Sequence, residues 1–337
     1  VNKPIYILAI ESSCDETAAA VIYNDKILSN VIASQSVHKY YGGVIPELAS
    51  RAHLQKIIPV VEDALKNAKV TKNDLSGIAF TRGPGLMGAL LVGVSFAKAY
   101  ALALDIPLIE VNHLQAHVLS HFLSYPNSPK FPFLCLTVSG GHTQIVRVDD
   151  HLEMKVIGET LDDAAGEAFD KAAKILGFSY PGGPLIDRFA KDGNPKAYPF
   201  TIPNIPDLNF SFSGLKTAFL YFIRDSLEKD ADFINKNKTD ICASIQYTII
   251  EVLLRKLKKA SEETGIKEIA IAGGVSANSA LRSAILKMQD DIIWNVYIPP
   301  FEFCTDNAAM IAIVGYYKFL KGDFAEQSIV PLTRMPF

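Results

Sequence analysis

With 337 residues, 49% of them hydrophobic, and a formal net charge of -3, the chain has apolar material for two domains of ordinary size and no global attraction to nucleic acid. The longest apolar stretch, residues 86–97, is interrupted by Ser95 and ended by Lys98, short of the roughly 20 residues a membrane-spanning helix takes. The opening residues lack the basic, apolar and small-residue succession of a secretory signal, and Cys14, Cys135, Cys242 and Cys304 stand far apart without CxxC spacing, so a cytoplasmic α/β protein with reduced thiols is expected.

Along the first half, residues 5–10 read as an apolar strand that passes through Glu11-Ser12-Ser13-Cys14-Asp15-Glu16-Thr17 into a second strand at 18–22. Backbone N–H groups and the hydroxyls of Ser12, Ser13 and Thr17 could receive a phosphate in such a turn. Residues 75–81 read as a buried strand feeding Arg82-Gly83-Pro84-Gly85 and a long helix at 86–104, where the glycines suit either an anion site or a bare tight turn. A short strand at 108–111 is followed by a helix from about Asn112 that carries His113 and His117. Two imidazoles four residues apart share one helix face and can grip one metal ion, although such a pair also occurs without any ligand.

The second half repeats the opening pattern. Residues 133–138 lead through Ser139-Gly140-Gly141-His142-Thr143 into a strand at 144–148, and a strand, small polar turn and strand in each half suggests a duplicated nucleotide-binding lobe. Residues 161–176 read as a helix, followed by Tyr180-Pro181-Gly182-Gly183-Pro184, a helix from about Leu185, and an irregular excursion over 194–213. Helices are expected at 215–229 and 240–264, the latter carrying Arg255-Lys256-Leu257-Lys258-Lys259, the densest basic cluster, which reads as a solvated helix end. A strand at 267–272 runs into Gly273-Gly274-Val275-Ser276-Ala277-Asn278 and a helix at 279–288, setting backbone and an amide where open α/β sheets bind ligands. The chain closes with a strand at 294–298 and a helix at about 305–320, whose first turn holds Asp306, a natural N-cap or first-turn residue.

Taken together, these blocks resemble the TsaD/Gcp family of tRNA adenosine threonylcarbamoyltransferases, of the actin, Hsp70 and sugar-kinase superfamily. The resemblance runs essentially end to end and is carried by residues 10–17, 42–51 (Gly-Gly-Val-Ile-Pro-Glu-Leu-Ala-Ser-Arg), Arg82-Gly83-Pro84-Gly85, the His113/His117 pair, 138–143, 163–171, 180–184, 273–278 and Cys304-Thr305-Asp306-Asn307-Ala308. It implies an α/β, two-lobed actin-like ATPase (duplicated ribonuclease-H-like) fold with a nucleotide and metal cleft, one lobe formed by 1–130 plus 305–337 and the other by 131–304. It further implies one divalent metal, iron with zinc as the alternative, on His113, His117 and Asp306, and a nucleotide and substrate site at Thr137, Val138, Ser139, Gly140, Gly141, Asp170, Gly183, Asp187 and Asn278. The implied reaction moves a threonylcarbamoyl group from threonylcarbamoyl-adenylate to N6 of adenosine 37 in tRNAs reading codons that begin with A. A paralogous dimer partner (TsaB-like) and a small ATPase (TsaE-like) are the implied protein partners. No covalent nucleophile is needed, and His142 is either a base or a structural histidine.

One departure stands at Gln115, where many family members have Glu. An amide cannot act as a base there but can orient a ligand or water. Three other readings remain in play. A zinc peptidase needs Glu directly after the first His, where this chain has Leu114. A small-molecule kinase of the same superfamily usually opens its phosphate hairpin with Asp, where this chain has Glu11. A silent scaffold would lack the metal trio.

Overall fold

Strict in-out alternation governs the first strand: Ile7 and Ala9 enter one apolar cluster, whereas Leu8 and Ile10 enter another on the opposite face. The computed structural model describes residues 4–35, 37–38, 41–123, 127–203 and 205–337, the side chain of Asp290 excepted. Contacts divide the chain into two units. Val1–Ser128, Asp150–Met154 and Pro299–Phe337 form one; Pro129–Asp149 and Lys155–Ile298 form the other.

In chain order the first stretch contains β1 (Tyr6–Glu11), β2 (Thr17–Tyr23), β3 (Lys26–Ala33), α1 (Pro46–Ala68), β4 (Gly77–Gly83), α2 (Met87–Leu104), β5 (Leu108–Asn112) and α3 (His113–Leu119). The second unit contains β6 (Phe133–Val138), all but the last residue of β7 (Thr143–Asp150), β8 (Glu153–Glu159) from Lys155 on, α4 (Ala165–Ile175), α5 (Gly183–Ala190), α6 (Ser213–Lys229), α7 (Phe233–Thr264), β9 (Glu268–Ala272), α8 (Ser279–Ile292) and β10 (Asn295–Tyr297). Helix α9 (Ala308–Lys321) belongs again to the first unit.

The first sheet runs β3-β2-β1-β4-β5, with β1, β2 and β3 antiparallel and β4 and β5 parallel to β1. Helices α1 and α2 cover one face and α9 the other. The approach of α9 is close because the contact residues are small: a Cβ on Gly315 would lie 2.6 Å from that of Ala79. Helix α2 is long and apolar enough to cross a membrane by composition; its Val94, Ala97 and Ala101 are buried in the core against the sheet, and its Met87, Leu91 and Leu102 are exposed.

The second sheet runs β10-β9-β6-β7-β8, with β6 and β7 antiparallel and β9 and β10 parallel to β6. Its strand order repeats that of the first sheet, so the strand, turn and strand likeness in the sequence extends to five strands in each unit. Its core joins Leu134, Leu136 and Val138 to Phe169, Phe210, Phe212, Phe219 and the apolar side of α7.

Several boundaries differ from the sequence reading. Residues 161–164 are not helical, because Asp162 turns outward to accept hydrogen bonds from the start of α6. Helix α7 starts at Phe233, seven residues earlier than expected, and α9 starts at Ala308 instead of 305. Strands β3 and β8 and helix α1 were not read at all; α1 contains Pro59, a breaker, and has no side-chain cap at Ile45, although Pro46 at its first position and Glu47 in its first turn are start signals.

Candidate metal centre and substrate-binding residues

The first site grows from the carboxyl ends of three adjacent parallel strands. Glu11 ends β1, Thr81 lies near the end of β4, and β5 passes directly into α3, so the ordering β1-β4-β5 brings Glu11, Thr81 and His113 together at one sheet edge. Asn112 starts α3 as its N-cap, accepting from the Leu114 and Gln115 amides at 2.9 and 3.3 Å. Its own amide nitrogen donates to the Pro336 carbonyl at 2.9 Å, which tethers the start of the helix to the C-terminal segment.

From that start, His113 and His117 stand on one face with ring centroids 4.8 Å apart and planes at 89°. Asp306 reaches them from the segment before α9: its Oδ1 lies 3.2 Å from His117 Nε2 and 3.4 Å from His113 Nε2. Asp306 does not cap α9, nor does it lie in the first turn. Asn307 is the cap, accepting from the Met310 amide at 3.0 Å and donating to the Thr305 carbonyl at 2.8 Å, and this leaves the neighbouring carboxylate to face the imidazoles. One ligand atom from each of His113, His117 and Asp306 lies within 4.8 Å of the others.

Charge around the trio is unbalanced toward the negative. Burial opposes ionisation of Asp306, but His113 and His117 beside it hold its carboxyl well below the usual carboxylate range. Burial likewise opposes a charge on His113, yet Asp306 and Glu11 raise it well above the ordinary histidine value. Glu16 is pushed up to about 9 by burial, with Asp306, Asp15 and Glu11 adding repulsion. Two imidazole nitrogens and a carboxylate converging amid further carboxylates fit a divalent cation, which relieves that repulsion.

Glu11 is the residue that sequence reasoning missed at this site. Its Oε1 accepts from the Ser13 amide, and its Oε2 accepts from the Thr81 hydroxyl at 2.6 Å and faces His113 Nδ1 at 3.0 Å. The available signal was positional: an acidic residue at the carboxyl end of the first parallel strand, beside the strand that leads into the His pair. The hydroxyls expected at a phosphate are engaged within the protein. Ser12 donates to the Ala89 carbonyl, Ser13 lies 3.2 Å from His113 Nδ1, and Thr17 lies 2.8 Å from His53 Nδ1. Gln115 is half-buried, and among the described residues its side chain meets no hydrogen-bonding partner.

In the second unit, Ser139 and His142 close the β6–β7 turn through two hydrogen bonds, Ser139 N to His142 O at 2.8 Å and His142 N to Ser139 Oγ at 3.2 Å. Gly140 and Gly141 form its open tip, where an added Cβ meets nothing within 4 Å. Val138 and Thr137 are buried at the end of β6. The turn is backed by two glycines that cannot be replaced without movement: a Cβ on Gly166 would fall 2.4 Å from the Ser139 carbonyl oxygen, and Gly273, at φ +85°, has the Val138 carbonyl oxygen 2.5 Å from the same position.

Asp170 Oδ1 accepts from the amides of Gly182 and Gly183 at 2.8 and 3.2 Å, which shapes the Gly/Pro loop, while burial raises its carboxyl. Asp187 is no free solvated carboxylate: it accepts from the Ser279 hydroxyl at 2.7 Å and amide at 3.2 Å. Asn278 caps α8 through the Leu281 amide and donates to Gln246 Oε1 at 2.7 Å. Asp170 is thus locked to the Gly182-Gly183 turn that opens α5, and Asp187 of α5 is locked to Ser279 at the start of α8, the helix that Asn278 caps. The basic cluster on α7 serves its own surroundings, since Lys256 and Lys259 donate to carbonyls of the 205–207 loop and Arg255 pairs with Glu251.

Comparison with known proteins bears on both sites. The family model described as TsaD, tRNA N6-adenosine threonylcarbamoyltransferase, matches residues 26–313. The chain belongs to that family. A tRNA N6-adenosine threonylcarbamoyltransferase of Christiangramia forsetii is 60% identical over 338 residues, covering 100% of this chain and 99% of the relative, and that of Cytophaga hutchinsonii is 60% identical over 334 residues, covering 99% and 97%. Among solved structures, HypF of T. kodakarensis matches 95% of this chain and 49% of its own at a TM-score of 0.64 and 14% identity. Component A of the (R)-2-hydroxyglutaryl-CoA dehydratase of Acidaminococcus fermentans matches 93% and 98% at 0.56 and 16%. These likenesses show the actin-like ATPase fold, and the threonylcarbamoyltransferase family membership identifies the chain as a transferase that modifies tRNA.

Proposed function

We propose that this chain transfers the threonylcarbamoyl group from threonylcarbamoyl-adenylate to the N6 amine of adenosine 37 in tRNAs that read codons beginning with A, releasing AMP. The observation that carries the reading beyond the family name is the convergence of His113, His117 and Asp306, with Asn307 taking the capping role that would otherwise occupy the carboxylate. The bond that forms joins N6 to the carbamoyl carbon, and the bond that breaks joins that carbon to the adenylate phosphate oxygen; the amine loses a proton as AMP leaves.

Two histidines and one carboxylate with open positions favour ferrous iron over zinc, and the bound ion would supply Lewis acidity toward the acyl carbonyl. The remaining work falls to the protein. His113, His117 and Asp306 hold the ion, and Glu11 holds His113. The open Gly140-Gly141 tip offers backbone N–H groups to a phosphate, and the oxygen of Asp170 not taken by the glycine amides suits a ribose hydroxyl. Asp187 and Asn278 set the start of α8 beside that loop.

With a net charge of -3 and its densest basic cluster spent on local contacts, the chain shares tRNA capture with partners, a TsaB-like paralogue and a small TsaE-like ATPase, in the cytoplasm. Reconstitution with purified partners, tRNA and radiolabelled threonylcarbamoyl-adenylate tests the reading. Label is expected in tRNA with the natural chain and at background with Asp306→Ala; equal labelling by both would contradict the role given to the metal trio.

A further inference from the structure

Resting on the metal reading above, we infer that Glu11 is a positioning residue that fixes the ring tautomer of His113, so that Nε2 alone is offered to the ion. Three donors converge on this one fully buried carboxylate: the Ser13 amide on Oε1, and the Thr81 hydroxyl and His113 Nδ1 on Oε2. An ionised carboxylate only accepts hydrogen bonds, so the proton that His113 keeps when its Nε2 binds a cation is the one on Nδ1, and Nε2 is the nitrogen that faces Asp306 and His117. The Ser13 hydroxyl, 3.2 Å from the same nitrogen, can turn to accept as well. His117 has no such device: its Nδ1 is buried and has no hydrogen-bonding partner among the described residues. His113 is therefore the imidazole of the pair that the protein holds from behind through Nδ1.

The geometry dictates what an isosteric amide would do. The Ser13 N–H is a backbone donor that cannot turn away, so in Glu11→Gln the amide oxygen must occupy the Oε1 position and the NH2 group must face Thr81 and His113. Thr81 can rotate its hydroxyl to accept. His113 can accept at Nδ1 only by carrying its proton on Nε2, and that tautomer cannot give the Nε2 lone pair to a metal. Glu11→Gln thus keeps the volume and inverts the tautomer. Thr81→Val is the matched control, since it removes a hydrogen bond to the same oxygen and leaves the His113 contact in place.

The test is Zn2+ affinity of the full-length chain, measured by competition with a chromophoric chelator, together with 15N NMR of the histidine side chains in the Zn2+-loaded protein. Glu11→Gln should weaken Zn2+ binding by about 10–100-fold, the usual cost of losing a carboxylate behind a metal-bound histidine. Thr81→Val should stay within about twofold of the natural protein, whose spectrum should carry a protected proton on His113 Nδ1. Equal affinity in Glu11→Gln, an equal loss in Thr81→Val, or a His113 proton on Nε2 in the natural protein would each overturn the inference. The last readout decides the matter even if Glu11→Gln does not fold. Asp306→Asn separates the two layers: undiminished Zn2+ binding there would overturn the metal reading itself and the inference with it.

Discussion

Two neighbouring residues divide tasks that one sequence position seemed to combine. Asn307 caps α9, so replacing it with Ala should lower stability by about 1 kcal/mol while Zn2+ uptake persists. Asp306 faces two imidazoles from one residue before the cap, so Asp306→Asn should abolish metal uptake with the cap of α9 left in place. Thermal melts paired with metal analysis separate the two variants, and a common loss of both properties in each would contradict the division. The His pair was legible as a candidate metal grip because helical spacing is a local signal, whereas Asp306 became a candidate ligand only through the family resemblance of residues 304–308. Their mutual approach was not, since it depends on α9 returning to the first unit after the whole second half of the chain. Glu11 was missed for a related reason: a single acid in a turn says nothing until strand order sets it beside β5.

At the scale of elements, polar side chains reach across the chain to do what local caps do not. Helix α6 begins after Phe212, which offers no side-chain cap, and Asp162 serves instead, accepting from the amides of Phe212 and Ser213 and the hydroxyls of Ser211 and Ser213. Against the opposing effect of burial, those hydroxyls and amides hold the Asp162 carboxyl below its ordinary value. A carboxyl with a depressed folded value contributes stability that is complete above its unfolded value of about 3.9 and is lost as the pH falls through the folded value. Asp162→Ala should therefore destabilise the protein at pH 7, and the gap to the natural chain in denaturant midpoint should close progressively below about pH 4; a constant gap would contradict the assignment. Residues 161–164, Leu-Asp-Asp-Ala, were read as the start of a helix, but aspartates favour caps and turns over helix interiors, and Asp162 is committed to the start of another helix. The long helix α2 was legible from its apolar run. Helix α1, with Pro59 inside it, and the edge strand β3, with Lys26 and Asn30, carry residue types that argue against their own elements.

At the scale of the whole molecule, two sheets with the same five-strand order give each unit its own set of carboxyl-terminal strand ends. The first unit furnishes that edge with metal-binding chemistry, and the second carries glycine turns after β6 and β9 and two aspartates engaged at helix starts. The repeated strand, turn and strand pattern was visible in the sequence because both hairpins are contiguous. The full duplication was not, because β4, β5, β9 and β10 join β1 and β6 across intervening helices. The transferase function was accessible from ordered motif blocks, while the division of roles within those blocks had to come from hydrogen bonds. Mass spectrometry of tRNA nucleosides from cells depleted of this protein tests the central claim most directly. N6-threonylcarbamoyladenosine should fall as the protein is lost and return with the natural chain, and an unchanged level of that nucleoside would contradict the account.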